Sequence, residues 1–194
     1  MMKLLKYGNT NCFYIKGKNG SILVDTDWAG TLQLFYRKIK ELDIQSINYI
    51  LITHYHPDHM GIAQDIIENM NVKLLVLDVQ KDYIHSSDKI FEKDKNINFK
   101  PINIEPVIIS CDESRKFLKD LGIDGEIIYT SGHSEDSISV ILDEGIAIVG
   151  DLYNFNSAKT FNDERINNSW NKILSHNISK IYYGHHEQDI SNVN

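Results

Sequence analysis

The chain has 194 residues, 42% hydrophobic and 24% charged, which suits one globular unit spanning 1–194 and excludes disordered, collagen-like and coiled-coil classes. Its formal net charge of −7, without a basic run, argues against a nucleic-acid partner, because phosphates are gripped by clustered Lys and Arg. Two cysteines, Cys12 and Cys111, are too few for a secreted disulfide scaffold, and no apolar run is long enough for a signal-peptide core or a bilayer span, so the expectation is a cytoplasmic protein with no membrane partner.

In chain order, Cys12 to Ile15 and Ser21 to Val24 are short apolar runs around an Asn19-Gly20 hairpin signal. Leu32, Phe35, Tyr36, Ile39 and Leu42 recur at helical spacing, and Tyr49 to Ile52 reads as a strand. A His-rich segment follows; then Ile62, Ile66, Ile67 and Met70 mark a helix face, and Val72 to Leu77 a buried strand. The Asn- and Lys-rich stretch 86–106, containing Pro101 and Pro106, reads as a long loop that is either a mobile cover or a surface connection. Val107 to Ile109 reads as a strand, Ser110 and Glu113 as a capping box for a helix carrying Phe117, Leu118 and Leu121, and Gly122 as its stop. Glu126 to Tyr129, Ile138 to Leu142 and Ile146 to Val149 read as strands, Ile166, Trp170, Ile173 and Leu174 as a helix, and Ile181 to Tyr183 as a last strand. Strands alternate with helices in both halves, so the fold class is α/β or α+β, with sheets covered by helices.

Chemistry-bearing residues cluster where strands end: Asp25, the segment His54-Tyr55-His56-Pro57-Asp58-His59, His133, Asp151 and His185. Alternate residues of an extended chain share a face, so His54 and His56 can meet one metal. Pro57 ends the extended run and favours a first helical position, which turns Asp58 and His59 toward a neighbouring point. Four potential ligands in six residues, in a chain with eight His, suit one or two borderline-soft cations such as Zn²⁺. A lone loop histidine such as His133 is more often a surface or hydrogen-bonding residue, and Asp151 could equally cap a turn; their order and shared strand ends give them weight.

That order is His-x-His-x-Asp-His, then Gly132-His133, then a strand ending Gly150-Asp151, then Gly184-His185. It resembles the metallo-β-lactamase-fold hydrolases over almost the whole chain, and Asp25 in Leu23-Val24-Asp25-Thr26 resembles that family's first motif. The resemblance implies a four-layer αββα sandwich with the site along one edge of two sheets. It implies His54, His56 and His133 as ligands of one metal and Asp58, His59 and His185 as ligands of a second. Asp151 would bridge both, and Asp25 would support the array. The cofactors would be two divalent ions, Zn²⁺ first, with Fe or Mn as alternatives. A shared hydroxide would attack a small-molecule substrate, with Asp58 as the catalytic carboxylate that orients it.

The sequence departs from the family pattern at Gly61-Ile62, where Gly-Gly is usual, and at Gly132-His133-Ser134-Glu135-Asp136-Ser137, where Gly-His-Thr-Pro-Gly-Ser is usual. His185 rather than His186 matches the motif, because it directly follows Gly184. His85 and His176 carry no motif. Asp at 151, where common lactamases place Cys, disfavours β-lactam breakdown and resembles the thioesterase, lactonase and RNA-processing branches. No basic arm of the RNA-processing kind is found, and only nine residues follow His185, so the implied branch is a minimal hydrolase of a small ester, thioester or lactone. Tyr153 and Tyr183 read either as hydrogen-bond donors to a substrate carbonyl or as packing aromatics; Trp28 reads either as a pocket wall or as packing. Two rival readings stand beside the hydrolase: a mononuclear iron oxygenase acting on a thiol or persulfide through His54, His133 and Asp151, and a non-catalytic metal-binding module. Oligomeric state is left open.

Overall fold

Period-two alternation sorts the strand side chains into layers. The structure, a computed structural model, describes residues 1–93 and 97–189. One six-stranded sheet runs in the order β1 (Met2–Lys6), β2 (Asn11–Lys16), β3 (Ser21–Val24), β4 (Tyr49–Leu51), β5 (Lys73–Leu77), β6 (Val107–Ile109). Its first three strands form an antiparallel meander, and β3 to β6 are parallel. Among the described residues the α-helices of this half are α1 (Leu32–Glu41), α2 (Pro57–Met60), α3 (Ala63–Met70) and α4 (Asp88–Phe91). Helix α5 (Cys111–Asp120) leads into the second half.

The second sheet has five strands in the order β11-β10-β9-β8-β7, where β7 is Gly125–Tyr129, β8 Ile138–Leu142, β9 Ile146–Ile148, β10 Lys180–Tyr182 and β11 Glu187–Asp189. Helices α6 (Phe155–Phe161) and α7 (Glu164–Leu174) lie between β9 and β10 in the chain.

On β3, Ile22 and Val24 enter the core shared by both sheets, whereas Leu23 joins the outer core with Phe35 and Ile39 of α1 and Ile66 of α3. On β8, Ile138, Val140 and Leu142 enter the shared core, and Ile141 joins Ile166, Trp170 and Ile173 of α7 on the opposite outer face. The result is the αββα sandwich that the resemblance implied. Helix α5 closes one side: Ser110 accepts the Glu113 N–H and Glu113 accepts the Ser110 N–H, forming the expected capping box. Ser114 of α5 then exchanges hydrogen bonds with both backbone groups of Ile127 on edge strand β7.

The sequence pattern does not single out β1, where lysines interrupt the apolar residues of a strand that, among the described residues, lies at the sheet edge and pairs with β2. The stretch 86–106 is anchored rather than detached. Phe91 and Ile102 are buried in the outer core, Lys100 bridges to Asp65 and Glu68 on α3, and the Asn103 N–H bonds Gln64. Residues 94–96 of that stretch lie outside the described residues. Among the described residues no helix is long and apolar enough to cross a membrane.

Parallel pairing of β3 with β4 and of β9 with β10 brings their carboxyl ends to the same edge of the sandwich. Two backbone bonds join the sheets there: Ile138 N–H to the Thr53 carbonyl at 2.9 Å, and Asn11 N–H to the Gly184 carbonyl at 2.6 Å. That edge carries the polar cluster.

Candidate metal centre

Pro57 is the first residue of α2, and His56 before it is still extended. The switch splits the His-rich segment in two, as its spacing predicts. One ligand atom each from His54, His56 and His133 lie within 4.8 Å of one another, and so do one each from Asp58, His59, Asp151 and His185. The seven residues singled out in the sequence therefore converge at one edge, although they come from four separate stretches of chain. Asp151 stands between the two groups: its carboxylate lies 3.4 Å from His59 Nε2, 3.3 Å from His185 Nε2 and 3.9 Å from His133 Nε2.

Hydrogen bonds fix which ring nitrogen faces inward. Asp25 is fully buried with φ +60°, and its carboxylate accepts the Thr53 N–H at 2.7 Å, the Thr53 hydroxyl at 2.8 Å and His59 Nδ1–H at 2.9 Å. His59 therefore presents Nε2 to the cluster. The Thr53 hydroxyl proton is committed to Asp25, so its oxygen is free to accept from His54 Nδ1, 3.2 Å away, which turns His54 Nε2 inward. His185 Nδ1 bonds the Asn9 carbonyl at 3.2 Å, again leaving Nε2 inward. His56 Nδ1 and His133 Nε2 face each other at 3.0 Å, a spacing two lone pairs tolerate only with a proton or cation between them.

The electrostatics suit a cation. Burial, reinforced by His59, His56 and His133, holds the His54 pKa well below the usual histidine range, so it is a neutral donor. Burial also lowers His133, although Asp151 opposes the shift. At His59 burial acts against the charged form, but Asp25 and Asp151 outweigh it and push the pKa up to about 10. At Asp151 burial favours the neutral acid, yet His59, His185 and His133 pull the pKa down to about 2. Negative charge at this edge thus already attracts a positive partner.

Three buried atoms that aim into the cluster, His54 Nε2, His59 Nε2 and Asp151 Oδ1, have no hydrogen-bond partner. Orphaned buried polar atoms are costly, and a bound ion is a standard resolution. Tetrahedral zinc bonds of about 2.1 Å separate neighbouring ligand atoms by roughly 3.4 Å. Six of the pairs lie 3.0 to 4.0 Å apart, close to that spacing, and all atoms within each group lie within 4.8 Å of one another. The donor set therefore fits a metal-binding site. Gly184 gives it room: a Cβ there would sit 2.4 Å from Asp151 Oδ1 and 2.7 Å from His59 Cε1.

A family model described as the metallo-beta-lactamase superfamily matches residues 5–185. This chain belongs to the metallo-beta-lactamase superfamily. A probable metallo-hydrolase of Methanocaldococcus jannaschii is 28% identical over 196 aligned positions, covering 96% of this chain and 93% of the relative. A metal-dependent hydrolase of Pyrococcus horikoshii is 31% identical over 108 positions, 56% of this chain and 46% of that protein. Among solved structures, the BLEG-1 B3 metallo-beta-lactamase superposes with a TM-score of 0.73 at 17% identity, covering 98% of this chain and 94% of that one, a likeness of fold. Both of these relatives are named as metallo-hydrolases or metal-dependent hydrolases.

The remaining sequence candidates divide. Tyr153 is 42% exposed, and its ring centroid lies 6.0 Å from that of His133, at the rim of the cluster. Trp28 packs on Phe91, which stacks on Phe99, so its observed role is to join the 86–106 stretch to the outer core. Tyr183 belongs to the outer helix-facing core beside Trp170 and stacks on His186 at 4.5 Å; it is a packing aromatic rather than part of the cluster. Its neighbour Tyr182 points the other way, into the shared core against Phe13. His186 is outside both ligand groups.

Three supporting residues carry no local sequence signal. Thr53 links Asp25 to His54. Asp136 accepts the Tyr55 N–H at 2.7 Å and the Ser134 hydroxyl at 2.7 Å, tying the His133 loop to the His54–His56 strand end. Gln80 donates to the Ile52 and Asp136 carbonyls beneath them. The atypical loop sequence Ser134-Glu135-Asp136-Ser137 is therefore a hydrogen-bonded clasp. Ile62, at the other departure from the family pattern, is buried in the outer core.

Proposed function

We propose that this chain is a two-metal hydrolase that cleaves a small ester, thioester or lactone. The observation that carries the reading is the position of Asp151 between two ligand groups, each with unpaired atoms aimed inward. In this reading His54, His56 and His133 hold one ion, Asp58, His59 and His185 hold the second, and Asp151 is shared. The nitrogen-rich donor set favours Zn²⁺ over Fe or Mn. When bound, two such ions supply hydroxide at neutral pH and polarise the scissile carbonyl.

The residues of the chain do the rest. Asp25 and the Asn9 carbonyl keep the His59 and His185 Nδ1 protons away from the reacting atoms. Asp58, partly exposed and 3.4 Å from His185 Nε2, orients the attacking water and takes up its proton. Tyr153 at the rim donates a hydrogen bond to the substrate. A small molecule rather than a nucleic acid suits a chain of net charge −7.

The test is a panel of esters, thioesters and lactones offered to zinc-replete protein, with Asp58→Ala as control. Turnover of at least one substrate class, falling about 100-fold or more in the variant, is expected. Oxygen consumption with one iron per chain and no hydrolysis, or full activity in the variant, would overturn the reading.

A further inference from the structure

Among the described residues, the turn at residues 7–10, between β1 and β2, bonds to the Asp58 and His185 side of the cluster. The Thr10 hydroxyl donates to the Asp58 carbonyl at 2.7 Å, and the Asn9 carbonyl accepts His185 Nδ1 at 3.2 Å. Just beyond the turn, Asn11 donates its N–H to the Gly184 carbonyl and its side-chain amide to the Tyr183 carbonyl. The turn thus brackets two residues that approach from opposite sheets. Its fastening is Asp27, a buried carboxylate that belongs to neither ligand group. Asp27 Oδ2 accepts the Thr10 N–H at 3.1 Å, and Oδ1 accepts the Trp28 N–H at 2.6 Å. The turn lies directly over this carboxylate: a Cβ on Gly8 would sit 2.1 Å from Asp27 Oδ2.

Burying a carboxylate is costly unless its oxygens are occupied, and here backbone N–H groups occupy them. Burial still raises the Asp27 pKa, opposed by the Trp28 and Thr10 N–H groups and by Lys6. His54, His56 and His133 have a different framework, made by Thr53 and the Asp136 clasp. Taking the two-metal reading as its basis, we propose that Asp27 is a positioning residue for one half of the site. Through the 7–10 turn it sets the placement of Asp58 and His185, and hence the affinity of the Asp58–His59–Asp151–His185 group for its ion.

Removing a hydrogen-bond partner that orients a metal ligand lowers affinity about 10- to 100-fold. Asp27 acts one bond further back, so Asp27→Asn, which keeps the shape but only one acceptor oxygen, is expected to weaken the second zinc about tenfold and leave the first unchanged. Thr10→Val cuts only the tie to Asp58 and guards against a folding defect in Asp27→Asn; it too is expected to weaken the second ion alone. Zinc titration against a competing chelator measures both affinities, and histidine ¹⁵N shifts of metal-free protein report the His185 tautomer. Wild type is expected to hold the Nδ1–H form and Asp27→Asn a mixture. Equal weakening of both ions, or unchanged second-ion affinity in both variants, would overturn the proposal. If wild type binds a single ion the two-metal reading fails, and the tautomer then decides: a mixture in Asp27→Asn upholds the positioning role, and an unchanged tautomer sinks it.

Discussion

The two sheets build their shares of the site differently. The N-terminal sheet supplies Asp25, Thr53 and His54 to His59, and most of that group is buried: the side chains of His59 and Asp25 are 0% and 1% exposed. The C-terminal sheet supplies His133, Asp151 and His185 from three separate loops, with side chains 22%, 17% and 42% exposed. The first share is braced within itself by Asp25 and Thr53. The second is braced from across the sandwich, through Asp136 to Tyr55 and through Asn9 to His185. A contiguous motif can orient its own ligands; dispersed ligands need a framework from elsewhere in the fold.

The largest effect is expected where the buried share is cut. Asp25→Ala removes the carboxylate on which Thr53 and His59 converge, and should destabilise the metal-free protein by about 3–5 kcal/mol in urea unfolding. The same pair gives a pH signature. The folded pKa of His59 lies above its ordinary 6.5, so its contribution is fully present below 6.5 and is lost as pH rises through about 10. Metal-free wild type should therefore lose stability relative to Asp25→Ala across that window; parallel pH profiles would place the stabilisation elsewhere.

The exposed share should respond in metal binding more than in folding. Gly184→Ala drives a methyl into Asp151 and His59, at an expected stability loss of about 1–3 kcal/mol, with impaired zinc uptake measurable by titration. Wild-type uptake in this variant would show that the Gly184 loop yields freely. Asp136→Ala tests the clasp between the shares. It leaves the buried Tyr55 N–H without its acceptor, and about 1–2 kcal/mol should be lost in the same unfolding assay. Smallest is Ser110→Ala, which breaks the α5 capping box and touches neither ligand group: about 1 kcal/mol of stability, with hydrolysis and zinc affinity unchanged.

The same contrast explains what the sequence revealed. His54 to His59 was legible because its spacing alone puts His54 and His56 on one extended face and Pro57 at a helix start. His133, Asp151 and His185 were legible only through their order, since each taken alone has an ordinary structural explanation. Thr53, Asp136, Gln80 and Asp27 were not legible, because their roles depend on partners up to 81 residues away, as with Asp136 and Tyr55. Tyr183 shows how fine the limit is: adjacent strand residues face opposite ways, and the one-residue step from Tyr182 carries it out of the shared core. The 86–106 stretch reads as a long loop, either a mobile cover or a surface connection, because its anchors, Phe91 and Ile102, are sparse in a polar sequence.

The central claim is that these two shares close around two ions. Anomalous diffraction from zinc-loaded crystals, recorded on either side of the zinc edge, tests it most directly. Two peaks are predicted, one among His54, His56 and His133 and one among Asp58, His59 and His185, with Asp151 between them. A single peak, or a second one coordinated outside these residues, would contradict it.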